Sequence, residues 1–109
     1  MVDRDAIQAE RRRALNEMLA ENPDDVFALY GLALEHKVDH RLDDARRLLA
    51  RTIELDPNHL YAYYQLGEVL MTLGEEDDAQ RIVSQGASTA EKLGDAKALA
   101  ELNALLDLM

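Results

Sequence analysis

The sequence predicts an all-α protein, a short α-solenoid in which two helix pairs are flanked by an N-terminal and a C-terminal capping helix. Two observations support this fold class. The chain of 109 residues matches itself when it is shifted by 34 positions, as repeat architectures do. Between the turns, apolar side chains recur three and four positions apart, as on one face of a helix, and no stretch alternates with the period of two that is typical of a strand.

Many positions that lie 34 residues apart carry the same amino acid. Ala28 matches Ala62, and Leu32 matches Leu66. The further identities are Asp43-Asp44-Ala45 with Asp77-Asp78-Ala79, Arg47 with Arg81, and Pro23 with Pro57. We therefore expect a single domain over residues 1–109, with a first repeat over 24–57 and a second repeat over 58–91.

Turns bound the predicted helices. In order, the helices cover about 4–21, 24–38, 42–55, 58–72, 76–92 and 95–108. Pro57 cannot continue the helix before it, and Gly74 and Gly94 stand where a left-handed residue ends a helix. Acidic residues such as Asp43 and Asp44 stand where helices begin, where their carboxylates accept hydrogen bonds from free N–H groups and suit the positive end of the helix dipole.

The spacing of large and small residues resembles the tetratricopeptide repeat family, whose pattern is Trp-x2-Leu-Gly-x2-Tyr, then Ala-x3-Phe, then Pro. The second copy reads Tyr63, Leu66, Gly67, Leu70, Ala79 and Val83. The first copy reads Leu29, Leu32, Ala33, His36, Ala45, Leu49 and Pro57. The resemblance covers about residues 24–91. It implies stacked helix pairs whose first helices line a concave groove where protein partners dock.

The chain departs from the family pattern in several places. Ala33 replaces the glycine of the first copy, His36 stands where a large aromatic residue is usual, and Glu91 replaces the closing proline of the second copy. From Gly94 onward neither the Leu-Gly pair nor the aromatic position recurs, so we expect a capping helix and no third copy. The helix before Pro23 resembles the back half of a lost repeat and would cover the other end of the stack.

The tyrosines of the second copy divide between two helix faces. Tyr63 shares a stripe with Leu66 and takes the family's large core position, whereas Tyr61 and Tyr64 lie about 60° apart on another stripe. The first copy repeats this second stripe. In the tetratricopeptide repeat family this face of the first helix lines the concave groove. The resemblance therefore implies a candidate partner-binding groove that comprises Phe27, Tyr30, Leu34, Lys37, Tyr61, Tyr64, Glu68 and Met71.

Two interpretations of this second stripe stay open. Aromatic residues at helical spacing are common in cores, and the capping helices would then cover them. A second apolar face beside a core stripe is instead typical of a binding surface, which tyrosine suits. Family members that bind acidic C-terminal peptides use a Lys and Asn clamp. The matching residues here offer no cationic donor: Tyr30, Leu34, Tyr64 and Glu68. We expect an apolar or aromatic partner segment with some basic character.

Composition argues against several function classes. The net charge is −10; residues 1–53 hold nine basic and eleven acidic side chains, and residues 54–109 hold three and eleven. This acidity disfavours nucleic-acid binding, and we interpret the run Arg11-Arg12-Arg13 as a solvated helix face. The chain has no cysteine, so no thiolate metal site or disulfide is expected. Without a signal peptide or a membrane-length apolar run, we expect a cytoplasmic protein with no membrane partner.

No catalytic residue, metal site or cofactor is predicted. His36 and His40 share a helix face, but a zinc site needs three or four protein ligands. We favour a core position for His36, a helix end for His40 and an exposed turn for His59. The carboxylates suit caps and solvated faces, and there is no glycine-rich phosphate loop. We expect a non-enzymatic adaptor or scaffold.

The alternative function is self-assembly. Two repeats are fewer than an independent solenoid usually needs. The last helix carries more apolar residues than one stripe, namely Leu99, Leu102, Leu105, Leu106, Leu108 and Met109. A homodimer through this helix or through the groove would bury them.

Overall fold

The computed structural model describes residues 3–109; residues 1 and 2 of the predicted domain lie outside this range. Six α-helices occur in it: α1 (Arg4–Glu21), α2 (Val26–Val38), α3 (Leu42–Leu55), α4 (Leu60–Thr72), α5 (Glu76–Leu93) and α6 (Ala96–Asp107). The described residues contain no strand, and the all-α prediction is confirmed. α2 and α4 begin two residues later than predicted because Asp25 and His59 are N-caps.

α2, α4 and α6 begin in the same way. At each start the N-cap side chain accepts a hydrogen bond from the backbone N–H three residues further on, which satisfies one of the free donors of the first turn. The three bonds run from Ala28 to Asp25 Oδ1 at 3.0 Å, from Ala62 to His59 Nδ1 at 3.2 Å, and from Ala98 to Asp95 Oδ1 at 3.0 Å.

α3 and α5 begin differently. Their N-cap residues, Arg41 and Glu75, make no capping hydrogen bond through their side chains. Asp43 and Asp44 lie inside the first turn of α3, so the expectation that they cap it was wrong. Their carboxylates instead favour the helix through its dipole and pair with Arg46 and Arg47, each at 2.9 Å.

Left-handed residues end two of the helices as predicted. Gly94 is the C-cap of α5 with φ +72, and Gly74 follows α4 with φ +79. His40, just beyond α2, also has a positive φ, at 58, although it is not a glycine. His40 therefore does stand at a helix end, where the backbone turns from α2 into α3.

The helices stack in chain order. Each helix packs against the next one in the chain. In addition, α2 contacts α4, and α4 contacts α6. Among residues 3–109, α1, α3 and α5 make no such contacts with one another. Because α2, α4 and α6 are close together while the other three are spread apart, the stack curves with α2, α4 and α6 on its inner side.

The tightest packing lies between α4 and α5. Tyr63 is 1% exposed, and its hydroxyl donates to the Pro57 carbonyl oxygen at 2.7 Å. A Cβ added to Gly86 would lie 2.6 Å from Tyr63 Cβ, and a Cβ added to Gly67 would overlap the side chain of Val83. The structure thus places Tyr63 in the core and Gly67 at a close helix contact, as the repeat pattern predicts.

α6 repeats α2 and α4, which the sequence interpretation missed. Its N-cap Asp95 corresponds to His59, and this pairing aligns α6 with α4 at a shift of 36 rather than 34. The buried residues Ala98 and Leu102 then match the buried Ala62 and Leu66. The shift is two residues larger because α5 has 18 residues where α3 has 14, while the turn after α5 is two residues shorter than the turn after α3. α6 therefore caps the stack as the first helix of a third repeat.

α1 is held by fewer contacts than the other helices. Leu15 is its one buried residue, and it packs with Ala28 and Leu32 of α2. A Cβ added to Gly31 would lie 3.1 Å from Leu15 Cδ2, so α1 and α2 approach closely there.

None of the helices in residues 3–109 combines the length and the apolar character that a bilayer span requires.

Candidate partner-binding surface

The structure divides the eight predicted groove residues among four places. Tyr30, Lys37, Tyr61 and Glu68 lie where α2 and α4 meet, on the inner side of the stack; we call this the inner face. Phe27 and Leu34 line a separate cleft between α1 and α2. Met71 lines a third site at the C-terminal end, and Tyr64 is half-buried against the core.

Tyr30 is fixed on the inner face by two neighbours. Its ring lies 4.4 Å from that of His59, centroid to centroid, with a 40° tilt between the planes. Burial raises the pKa of Tyr30, with a smaller opposing effect from a hydrogen bond with Gln65 and a small further rise from Tyr61. His59 is half-buried, so the expectation that it is exposed was wrong; its ring both caps α4 and packs on Tyr30.

Tyr61 lies further out, where α4 faces α6. Its side chain is 37% exposed. Partial burial raises the pKa of the Tyr61 hydroxyl, as do a hydrogen bond with Glu101 and the negative charges of Glu101 and Asp95. The ring therefore stands beside two carboxylates, those of the N-cap residue Asp95 and of Glu101 in the middle of α6.

The two predicted charges of the groove neutralise each other. Lys37 Nζ donates to Glu68 Oε1 at 2.7 Å and to Gln65 Oε1 at 2.6 Å. The side chains of Lys37 and Glu68 are only 29% and 37% exposed. This pair links α2 to α4, and its lysine is already occupied, so a partner carboxylate would have to compete with Glu68 for it.

The cleft between α1 and α2, here called the N-terminal cleft, has a volume of ≈ 390 Å³. Its apolar lining comes from Ala14, Leu15 and Met18 of α1 and from Phe27, Gly31 and Leu34 of α2. Phe27 is 72% exposed. Sequence reasoning found Phe27 and Leu34 but missed the α1 wall, although a shift of 34 pairs it with the apolar face of α3.

The polar rim of the N-terminal cleft consists of Arg11 and Glu35. Arg11 Nη1 lies 3.3 Å from Glu35 Oε1, and the arginine side chain is 62% exposed. The next arginine, Arg12, pairs with Asp39 at 3.2 Å. The arginine run of α1 is therefore partly used in ion pairs with α2, and the interpretation of a simply solvated face was incomplete.

The C-terminal site is smaller and more polar. Met71, Glu76, Gln80, Leu108 and Met109 surround ≈ 240 Å³. On α6, Leu102 and Leu105 are buried, and Leu108 is 76% exposed. Leu99, Leu106 and Met109 are half-buried against the core. Most of the apolar surface that suggested a homodimer through α6 is thus covered within the chain.

The histidines do not assemble a metal site in the described part of the chain, where no three His, Cys, Asp or Glu side chains group as ligands. His36 is half-buried and His40 is exposed. His36 was predicted to lie in the core, and its side chain is buried only in part.

Comparison with known proteins agrees with this architecture. The tetratricopeptide repeat family model matches residues 39–106. A tetratricopeptide repeat domain protein from Salinibacter ruber, known from a crystal structure, is 34% identical, covers 75% of this chain and 91% of its own, and superposes with a TM-score of 0.70. No curated protein matches the chain.

Two further solved structures contain a similar stack of helices, one as a separate domain and one as part of a larger protein. The TPR2B domain of yeast Sti1, determined as a complex with pHsp70, is 18% identical, has a TM-score of 0.84 and covers 94% of this chain and 82% of its own, a likeness in fold. The O-GlcNAc transferase of Thermobaculum terrenum is 27% identical with a TM-score of 0.73; the match covers 97% of this chain and 23% of the transferase. From the family match and the shared architecture, the chain belongs to the tetratricopeptide repeat family.

Proposed function

We propose that the chain is a non-enzymatic protein-interaction module that holds an apolar or aromatic segment with basic character on its inner face. Tetratricopeptide repeats mediate interactions between proteins, and the family is typically non-enzymatic. The groove of this chain would comprise Tyr30 and Tyr61, with the half-buried Tyr64 one turn further along α4 and the Lys37–Glu68 pair at one side. We expect it to act in the cytoplasm.

The division of tyrosines on α4 carries the proposal. Tyr63 is 1% exposed, whereas Tyr61 is 37% exposed and belongs neither to the buried core nor to the half-buried residues packed on it. The core is therefore complete without the Tyr61 ring. An apolar ring left at a surface between helices is available to a partner, and tyrosine adds a polar tip to that contact.

Charge supports the basic character of the partner. Glu101 and Asp95 place negative charge beside the Tyr61 hydroxyl, and the one lysine of the inner face is held by Glu68. A basic side chain in the partner would gain from this field, whereas an acidic C-terminal segment would be repelled.

The test is selection of peptides from a displayed random library on the wild-type protein. Selected peptides are then titrated against Tyr61→Ala/Tyr64→Ala and against Val38→Ala/Leu93→Ala, which truncates two exposed apolar side chains elsewhere. We expect the tyrosine variant to weaken binding about thirtyfold or more, since truncated aromatic anchors cost about 2 kcal/mol each. The control should bind like the wild type. Equal binding by both variants would move the site away from the inner face.

The self-assembling alternative is measured in the same samples by analytical ultracentrifugation. A monomer at working concentration supports the interaction module. A homodimer that the Tyr61→Ala/Tyr64→Ala variant dissociates would instead show that the inner face pairs with a second copy. Thermal melts followed by circular dichroism must show that the variant remains folded, because loss of the fold would place these rings in the core.

A further inference from the structure

The N-terminal cleft has an internal counterpart one repeat later. A shift of 34 positions matches each lining residue with one in the next repeat. On the first wall, Ala14, Leu15 and Met18 of α1 match Leu48, Leu49 and Thr52 of α3. On the second wall, Phe27, Gly31 and Leu34 of α2 match Tyr61, Gln65 and Glu68 of α4. That counterpart is not empty, because α2 lies there. α2 packs along α3 and contacts α4, and Lys37 joins it to Gln65 and Glu68.

The residues of the N-terminal cleft can be compared in burial with their equivalents, which α2 covers. Leu49 and Thr52 are 0% exposed beneath α2. Of their equivalents, Leu15 is buried at 6% exposed, whereas Met18 is only half-buried. Ala14 is exposed, whereas its equivalent Leu48 is half-buried. Phe27 is 72% exposed, whereas its equivalent Tyr61 is 37% exposed. The cleft is therefore a continuation of the helix-stacking interface that the molecule already uses, and no described helix takes there the place that α2 has on α3 and α4.

We propose that the N-terminal cleft binds an amphipathic helix of a partner protein, lying as α2 lies on α3 and α4. The stacking interface prescribes the chemistry of this helix. It needs bulky apolar residues around one small residue, because the helices that fill this role carry Ala33 in α2 and Gly67 in α4. At Gly67 a Cβ would overlap Val83, and Leu15 holds the position of Val83 in α1.

The rim adds a charge preference. Arg11 is 62% exposed beside the cleft and its carboxylate partner Glu35 is 11% exposed, so most of the remaining accessible charge is positive. An acidic residue on the flank of the bound helix would face this guanidinium. Partly exposed pairs of this kind favour the correct orientation more than they add affinity.

A second copy of this chain fits the cleft less well. Its α6 is the one helix of the right type that ends the stack, but α6 carries Asn103 where α4 has Gly67. Docking α6 would press this amide against Leu15, which overpacks the contact and buries a polar group without a partner. A second copy is therefore the less suitable occupant, and a helix of a partner protein is the one proposed.

The test uses a defined probe, a fluorescein-labelled peptide with the sequence of residues 24–40, which is the segment that fills the counterpart site. Fluorescence anisotropy measures its binding to the full chain. We expect saturable one-to-one binding to the wild type. Binding should weaken about tenfold or more in Ala14→Glu, which places a charge on the apolar wall. The matched variant Ala9→Glu lies on α1 outside the cleft and should stay within about twofold of the wild type.

A second peptide tests the geometry. With leucine in place of its central alanine, at the position of Ala33, the peptide should lose binding because the close approach to Leu15 is blocked. In NMR titrations, the unmodified peptide should shift the amide signals of Gly31 and Ala14 and leave that of Gln65 unchanged. This pattern distinguishes binding in the cleft from binding on the inner face, so each of the two proposed sites can be refuted independently of the other.

Three results would overturn the inference. Equal binding by wild type and Ala14→Glu, or absence of binding, would remove the cleft as a helix site. Signal changes centred on Gln65 would place the peptide on the inner face. A wild-type dimer that Ala14→Glu converts to a monomer in sedimentation would show that a second copy occupies the cleft.

Discussion

Replacing Tyr63 tests the repeat packing at its most buried point. The ring is 1% exposed and lies against Gly86, so Tyr63→Ala opens a cavity that the surrounding helices cannot fill. Truncating a buried aromatic costs about 3–5 kcal/mol. Losing the 2.7 Å hydrogen bond to the Pro57 carbonyl adds about 1 kcal/mol. We expect a total loss of about 4–6 kcal/mol in the free energy of unfolding.

Urea titrations followed by circular dichroism measure this loss. Tyr63→Phe separates the two contributions, since it keeps the ring and removes only the hydroxyl, and should cost about 1 kcal/mol. It also remains measurable if Tyr63→Ala does not fold. A loss below about 1 kcal/mol for Tyr63→Ala would refute the reasoning, because it would mean that the ring is not enclosed between α4 and α5.

Three further outcomes follow from backbone and side-chain contacts. Gly67→Ala should destabilise the protein by about 1–3 kcal/mol through overlap with Val83, and Val83→Ala in the same chain should restore part of the loss in urea titrations. Gly94→Ala should cost about 1 kcal/mol, because φ is +72 there and no atom crowds the site; an unchanged melt would contradict the left-handed cap. Burial raises the pKa of Tyr30 above 10.0, so its ultraviolet titration should lie above that of free tyrosine. The corresponding stability is fully present below the unfolded pKa and is lost as pH rises through the folded pKa; Tyr30→Phe should reduce this alkaline loss, and the remainder comes from Tyr61, whose pKa is also raised.

The sequence predicted the central repeats because their spacing is regular. Tyr63, Gly67 and the helices α2 to α5 follow from a shift of 34. α6 was assigned as a cap but was not recognised as the first helix of a third repeat. The longer α5 and the shorter turn after it together change the shift to 36. A search at one fixed period cannot find a repeat that is displaced by two residues.

The candidate site was predicted less completely, and the reason is tertiary. Phe27 and Tyr61 occupy equivalent places in the two copies, yet α6 flanks Tyr61 and no described helix covers Phe27. Helical phase gives the direction of a side chain but not the neighbour that it meets. The Lys37–Glu68 pair shows the same limit, since a distance of 2.7 Å across two helices depends on how α2 is seated on α4.

The small buried area of α1 has a consequence for motion. A helix with one buried residue, joined to the rest only through α2, can open while α4 and α5 stay closed. Its backbone amides should then exchange with solvent through local opening, and a protease should cut near its end before it cuts elsewhere. Since α1 forms one wall of the N-terminal cleft, a helix bound there would hold α1 in place and slow both processes.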